Sequence, residues 1–195
     1  MTWARLIAVT IAVLVAAPAL AHAPVRDEGA HALTRADPFP VVEPEISKAY
    51  YMELTGAPHV YRIDSAAPFR FYAGLLQPKL ENCPMHRTFS LELLDAGFRR
   101  MDGLDGSAFG WTAFYEHVGR DWYWKGPELG KDNRATRSLP AGTYYLRVFN
   151  AGNRGKYVLA VGDVEWFHFR DFLHLPEMIR WMNEEFWDPS DCEAR

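Results

Sequence analysis

Between residues 46 and 161, apolar and polar positions alternate with a period of two, in short runs divided by turn residues. The cleanest run is 88–94. Phe89, Leu91 and Leu93 fall on one side of an extended chain, and Thr88, Ser90 and Glu92 on the other. Residues 142–150 set Tyr144, Leu146 and Val148 against Tyr145, Arg147 and Phe149; after a turn at 151–154, Tyr157, Leu159 and Val161 share a face. Upstream, 49–54 and 59–63 flank Thr55-Gly56-Ala57-Pro58, and Phe69, Phe71, Ala73 and Leu75 align after a turn at 64–68. Residues 98–101 follow Asp95-Ala96-Gly97 as a return strand. Short strands, regular turns and half-polar alternation predict an all-β fold, an antiparallel β-sandwich of jelly-roll type over 46–162.

After Gly162 the period changes. Phe172, Leu175, Ile179, Met182 and Phe186 recur every three or four residues and line one side of a helix within the extension 163–195. The main segment is expected at 176–185, with Pro176 in its first turn, where a missing N–H costs nothing. Its polar face carries Glu177, Glu184 and Glu185 against one Arg180, so anionic lipid would repel it. Docking onto the sandwich is the expected use of the apolar side.

The first 21 residues follow different rules. A positive start at Arg5, an apolar run over 6–17, Pro18 and then Ala19-Leu20-Ala21 have the layout of a secretory signal peptide. Cleavage before His22 is favoured over cleavage before Pro24, whose ring nitrogen makes a poor scissile position. The apolar run is too short to span a bilayer, and the mature chain has no other spanning stretch. An exported, periplasmic or extracellular protein is expected, with residues 22–45 as an extended leader holding four prolines. In that oxidising setting Cys83 and Cys192, the two cysteines of the chain, are expected to pair. The loop closed is long, and closing it would stabilise the fold by about 4–5 kcal/mol on the chain-entropy model.

Two segments carry a resemblance. Leu139-Pro140-Ala141-Gly142-Thr143-Tyr144-Tyr145-Leu146-Arg147-Val148 followed by Gly155-Lys156-Tyr157-Val158-Leu159-Ala160-Val161 resembles the closing hairpin of pre-peptidase C-terminal-type sandwiches. Asp121-Trp122-Tyr123-Trp124-Lys125-Gly126-Pro127-Glu128, joined to that hairpin, is similar to a group of uncharacterised exported proteins. The resemblance covers most of 46–162 and implies the sandwich; it implies no reaction. The chain departs from the pattern in a long insertion at 102–134 and in its helical tail.

Composition narrows the function. Of 195 residues, 49% are hydrophobic and 14% aromatic, too many for a disordered chain. With 21 basic against 25 acidic residues and a net charge of −4, nucleic acid is not an expected partner. The insertion holds Phe109, Trp111, Phe114, Tyr115, Trp122, Tyr123 and Trp124 among Gly, Asp and Lys. One reading is a surface for a glycan or protein partner, with Trp111, Tyr115, Trp122, Tyr123 and Trp124 as candidate ligand-binding residues. The other is a satellite core closing one end of the sandwich. In an extended segment Trp122 and Trp124 emerge on one side and Tyr123 on the other, so the binding reading requires at least one of the five to stay exposed.

Metal chemistry has two weaker supports. A mature N-terminal His22 would offer an amine and an imidazole to copper, and Cys83-Pro84-Met85-His86 offers soft ligands, with His86 the second candidate. Asp102 and Asp105 would suit calcium, but their spacing matches neither an EF-hand nor a glycine-rich repeat and reads as a turn. No nucleophile elbow, zinc-protease helix, phosphate loop or C-x-x-C is present, and Ser107 with His117 is a chance grouping. The expectation is an exported, non-catalytic binding or interaction module without a cofactor, with carbohydrate as the concrete ligand. A copper-binding protein and a purely structural cell-envelope protein are the alternatives.

Overall fold

A computed structural model describes residues 22–80, 88–116, 121–131, 137–166 and 169–187. The strands are β1 (Ala23–Arg26), β2 (Phe39–Val41), β3 (Lys48–Thr55), β4 (His59–Ser65), β5 (Phe69–Phe71), β6 (Ala73–Pro78) and β7 (Ser90–Leu94). They continue as β8 (Arg100–Leu104), β9 (Thr112–Glu116), β10 (Asp121–Leu129), β11 (Arg137–Leu139), β12 (Gly142–Phe149) and β13 (Arg154–Val161). Helix α1 (Phe169–Trp181) runs into one π-helical turn at Met182–Phe186.

The fold is an all-β sandwich. One sheet has six strands in the order β1-β3-β13-β6-β10-β9, the facing sheet five in the order β2-β4-β12-β7-β8, and β5 pairs with β11 in a small ribbon. The expected alternation holds where one side faces water: in β12, Tyr144, Leu146 and Val148 are buried and the residues between them only partly so. Hairpin β12–β13 divides between the layers, one strand to each sheet. It therefore carries the inner faces of both halves of the core.

In β13 the alternation disappears. Every residue from Tyr157 to Val161 is buried. Tyr157 and Leu159 belong to the interlayer core, whereas Val158 joins Ala49, Tyr51 and Tyr123 under Met182, Phe186 and Trp187. The C-terminal segment therefore docks on the outside of the six-stranded sheet, as its apolar side predicts. Burying each large side chain there contributes about 1.5–3 kcal/mol. Gly162 makes the exit from β13 possible: at φ +77° it passes so close to the leader that a Cβ would lie 2.4 Å from the Ile46 carbonyl oxygen.

The two layers also meet through polar atoms. Tyr61 of β4 and Tyr157 of β13 are fully buried, with hydroxyls 2.7 Å apart, and His59 Nδ1 lies 2.8 Å from the Tyr157 hydroxyl. The three side chains thus form one hydrogen-bonded chain from Tyr61 through Tyr157 to His59. On the outer face of the five-stranded sheet, buried Glu92 accepts from Arg147 Nε at 2.8 Å and lies 3.6 Å from Arg100 Nε. Removing either partner of such a pair would strand a charge.

Four expectations are corrected. The leader is extended, but β1 and β2 are strands of the sandwich, paired in parallel with β3 and β4, so the sheets are mixed and begin at Ala23. Their prolines are tolerated because β1 and β2 lie at sheet edges. The aromatic insertion is not a loop: most of its described residues form β9 and β10. The return strand begins at Arg100, because Phe98 is held in the turn at φ +65°, its N–H bonded to the Asp95 carbonyl. Helix α1 begins at Phe169, which leaves Pro176 in its interior without a hydrogen bond to donate. Cys83 and Cys192, and residues 1–21, lie outside the described residues. Among those described, no helix is long and apolar enough to cross a membrane.

The tyrosine–histidine chain makes stability depend on pH. Burial pushes the His59 pKa down from 6.5 to about 4. Between those values the unfolded chain takes up a proton that the folded chain refuses, so stability falls as pH drops through the interval. His22 shifts in the same direction, also through burial. Asp37, Asp95 and Asp105, held low by hydrogen bonds from His31, Arg99 and Ser107, lose their contributions only at more acid pH. Urea unfolding should show a falling midpoint from about pH 6.5 to about pH 4, and a shallower fall in His59→Asn. Equal slopes in the two proteins would contradict this assignment.

Candidate aromatic binding face

β10 is held on both sides, by β6 and by β9, and the register of these ladders decides which side chains share a face. Trp122 pairs with Tyr115, Trp124 with Ala113 and Gln77, and Tyr123 with Phe114 and Pro78. Directly opposed residues point to the same side of a sheet. Tyr115, Trp122, Trp124 and Gln77 therefore share the inner-layer side, and Tyr123 the outer side. Lys79 continues the first set: its N–H donates to the Trp122 carbonyl at 2.8 Å.

On the inner side the aromatics form a row that grades from core to solvent. Trp111 is half-buried against the main core; its Nε1 donates to the Gly106 carbonyl at 2.9 Å and its ring lies on Gly126. Any Cβ at Gly126 would come within 2.3 Å of that ring, so the contact requires glycine. The backbone is irregular here because Gly126 and Pro127 form a bulge between Lys125 and Glu128, where proline has no N–H for the ladder. Trp124 is half-buried. Trp122, further out, is 51% exposed and lies 5.3 Å from Tyr115, ring centre to ring centre. The Lys79 ammonium stands 5.8 Å from the Trp122 ring and 5.7 Å from the Trp124 ring.

On the other side of the hairpin Phe114 is exposed, whereas Tyr123, opposite it in the ladder, is structural. Tyr123 is buried against Trp187, and its hydroxyl lies 3.5 Å from that of Tyr51. Asp121 and Glu116, paired across β9 and β10, fall on this side. Burial, and then the Glu116 carboxylate, push the Asp121 pKa up. Negative charge is thus kept off the aromatic row.

The five candidate residues are divided, not gathered. Tyr115, Trp122 and Trp124 form one surface, Trp111 anchors its inner end, and Tyr123 belongs to the core. Lys79 and Gln77 are the members that sequence reasoning missed. They lie far from the insertion along the chain, and only the β6–β10 register brings them to it.

The metal alternatives find less support. His22 Nδ1 is 2.5 Å from the Ser47 hydroxyl, and its ring stacks on Tyr72. Burial, and then Lys131, push its pKa down to about 4. His86 and His117 lie outside the described residues. Among those described, no three His, Cys, Asp or Glu side chains converge as a metal site. Asp102 pairs with Arg137 at 2.8 Å, and Asp105 accepts from the N–H and hydroxyl of Ser107, as a turn requires. A groove of about 400 Å³ between β7, β8 and the β12–β13 turn contains Glu92 and Asp105, whose carboxylates are already occupied by neighbouring side chains.

No protein-family model matches the chain, and no curated protein matches it. Among solved structures it is similar to the catalytic domain of a GH87 α-1,3-glucanase in complex with nigerose, with 15% identity and a TM-score of 0.28. That match covers 60% of this chain and 22% of the other. It is also similar to a β-glucosidase from Paenibacillus barengoltzii, with 12% identity, a TM-score of 0.26, and coverage of 71% and 13% respectively. The chain thus spans less than a quarter of either protein, and superpositions this partial say nothing about its activity.

Neighbouring residues of β10 should respond oppositely to truncation. Tyr123→Ala empties a buried site and should cost about 3 kcal/mol or more. Trp122→Ala removes an exposed ring and should cost less than about 1 kcal/mol. Urea denaturation of the two variants checks the order; the reverse order would place Trp122 in the core.

Proposed function

We propose that the protein is an exported, non-catalytic binding module that takes a carbohydrate chain on the surface formed by Tyr115, Trp122 and Trp124. The observation that carries this reading is the exposure of Trp122, held in a strand paired on both sides and backed by a second ring. Flat aromatic faces offer apolar area to the C–H side of a sugar, and ring edges offer hydrogen bonds to its hydroxyls. A side chain displayed on a sheet loses little freedom on binding, so its contact energy is not spent on ordering.

Residues 1–21 act as the export signal in this proposal, and the mature protein is periplasmic or extracellular, with Cys83 paired to Cys192. The likeness of 139–161 to pre-peptidase C-terminal-type sandwiches is in keeping with a module that binds and does not catalyse. A purely structural role accounts for Tyr123 and Trp111, which fill space. It gives no reason for the indole of Trp122 to face water from a strand paired on both sides; Trp166, also exposed, lies outside the strands.

Glycan-array screening of the mature protein should identify bound oligosaccharides. Trp122→Ala should then weaken the best of them by about 1–3 kcal/mol, the range of interface hot spots, with its unfolding curve little changed. A folded protein that binds no glycan, or a Trp122→Ala variant that binds as well as the parent, would overturn the reading.

A further inference from the structure

We infer that the carbohydrate taken on this face is anionic, a uronic-acid-containing chain whose carboxylate is held by Lys79 while its sugar ring stacks on Trp122. The inference rests on the carbohydrate reading and names the ligand class.

The position of Lys79 is the first support. Its backbone is pinned to β10 by the hydrogen bond to Trp122, and its ammonium stands beside both indole rings, within 6 Å of each centre. Among the described residues Lys48, Lys125 and Lys131 each have a carboxylate partner, Glu43 for the first and Glu128 for the other two. Lys79 has no carboxylate partner among the described residues; it faces aromatic rings. A sugar lying on Trp122 would meet this charge at its rim. A carboxylate there gains a charge-assisted hydrogen bond that a hydroxymethyl group does not.

The sign of the surroundings is the second support. Alternation along β9 and β10 places Glu116 and Asp121 on the opposite side of the hairpin, where Asp121 is partly buried and its ionisation already disfavoured. In a chain with a net charge of −4, Trp122 is, of the exposed aromatic rings Phe114, Trp122 and Trp166 among the described residues, the one that stands beside a cation, and no acid of the hairpin shares its side.

Two buried polar atoms on the same side add a third support. Gln77 is 6% exposed, and among the described residues its Oε1 has no hydrogen-bond partner; nor has Nε1 of Trp124, the residue opposite it in the ladder. One is an acceptor and the other a donor. Both lie at the inner end of the face, where a water held beneath a bound sugar would give each a partner.

The test is isothermal titration of the mature protein with oligogalacturonate and oligomannuronate, each alongside its carboxyl-reduced form. At least one acidic oligomer should bind about ten-fold tighter than its neutral counterpart, the equivalent of one charge-assisted hydrogen bond, and should weaken with added salt. Lys79→Gln should abolish the difference between the acidic and reduced forms, Lys79→Arg should preserve it, and Trp122→Ala should weaken both forms. Equal affinity for the acidic and reduced forms, or a Lys79→Gln variant that keeps the preference, would overturn the anionic assignment and leave the carbohydrate reading standing. A sulfated oligomer bound as tightly would overturn the choice of carboxylate. Binding of neither form, with an empty glycan array, would sink both readings.

Discussion

The burial of β13 on both faces from Tyr157 to Val161 is the constraint from which the rest of the structure follows. A strand withdrawn from water on both faces needs two covers. The inner cover is the five-stranded sheet, reached through Tyr157 and Leu159; the outer cover is the C-terminal segment, reached through Val158. Once Met182, Phe186 and Trp187 occupy the outside of the six-stranded sheet, Tyr51 and Tyr123 have a dry environment there. Strand alternation then leaves one place for Trp122 and Trp124, on the side that faces inward where the layers overlap. The tail at 182–187 thus fixes the orientation of the aromatic face without touching it.

The exposure of that face follows from strand number. The six-stranded sheet has one more strand than the sheet it faces. β10 packs against β7 and β8 across the interlayer, while the main neighbour of β9 is β10 itself. The row of rings along β10 therefore begins under cover where Trp111, just ahead of β9, lies on Gly126, and ends in the open at Trp122. An exposed sheet edge of this kind invites pairing with other chains. Here the outermost strand, β9, is short and ends in Glu116, with Asp121 opposite it, which disfavours edge-to-edge association.

How far the sequence revealed this depends on how local the determining contacts are. β12 was legible because one side is core and the other only partly buried, and β7 because its second side, although buried too, carries the polar Ser90 and Glu92, so residue-by-residue alternation carries both assignments. The outer burial of β3 and β13 was not, since Ala49, Tyr51 and Val158 are buried by residues near the far end of the chain. The leader strands were hidden because three or four residues with a proline carry no period, and their parallel pairing is set by β3 and β4. For the candidate site, the aromatic residues and their division by face were legible from Trp122-Tyr123-Trp124 alone. Lys79 was not: nothing around Gln77-Pro78-Lys79 marks it, and its place beside two indoles exists only in the register of β6 against β10.

The two readings of the aromatic insertion, a satellite core and a binding surface, are therefore not alternatives for the segment as a whole. They apply to alternate residues of one strand. Tyr123 fills the outer cluster, and in doing so helps to fix the strand from which Trp122 projects. Trp111 does the same from the inner side, with its indole N–H tied to Gly106 and its ring seated on Gly126. A loop carrying the same rings would have to order them at the moment of binding, at about 0.5–1.5 kcal/mol for each immobilised side chain. In this fold that cost is met during folding. The ring left in water is fixed by its neighbours above and below in sequence, and the stability of the sandwich and the readiness of the surface have a common origin in β10.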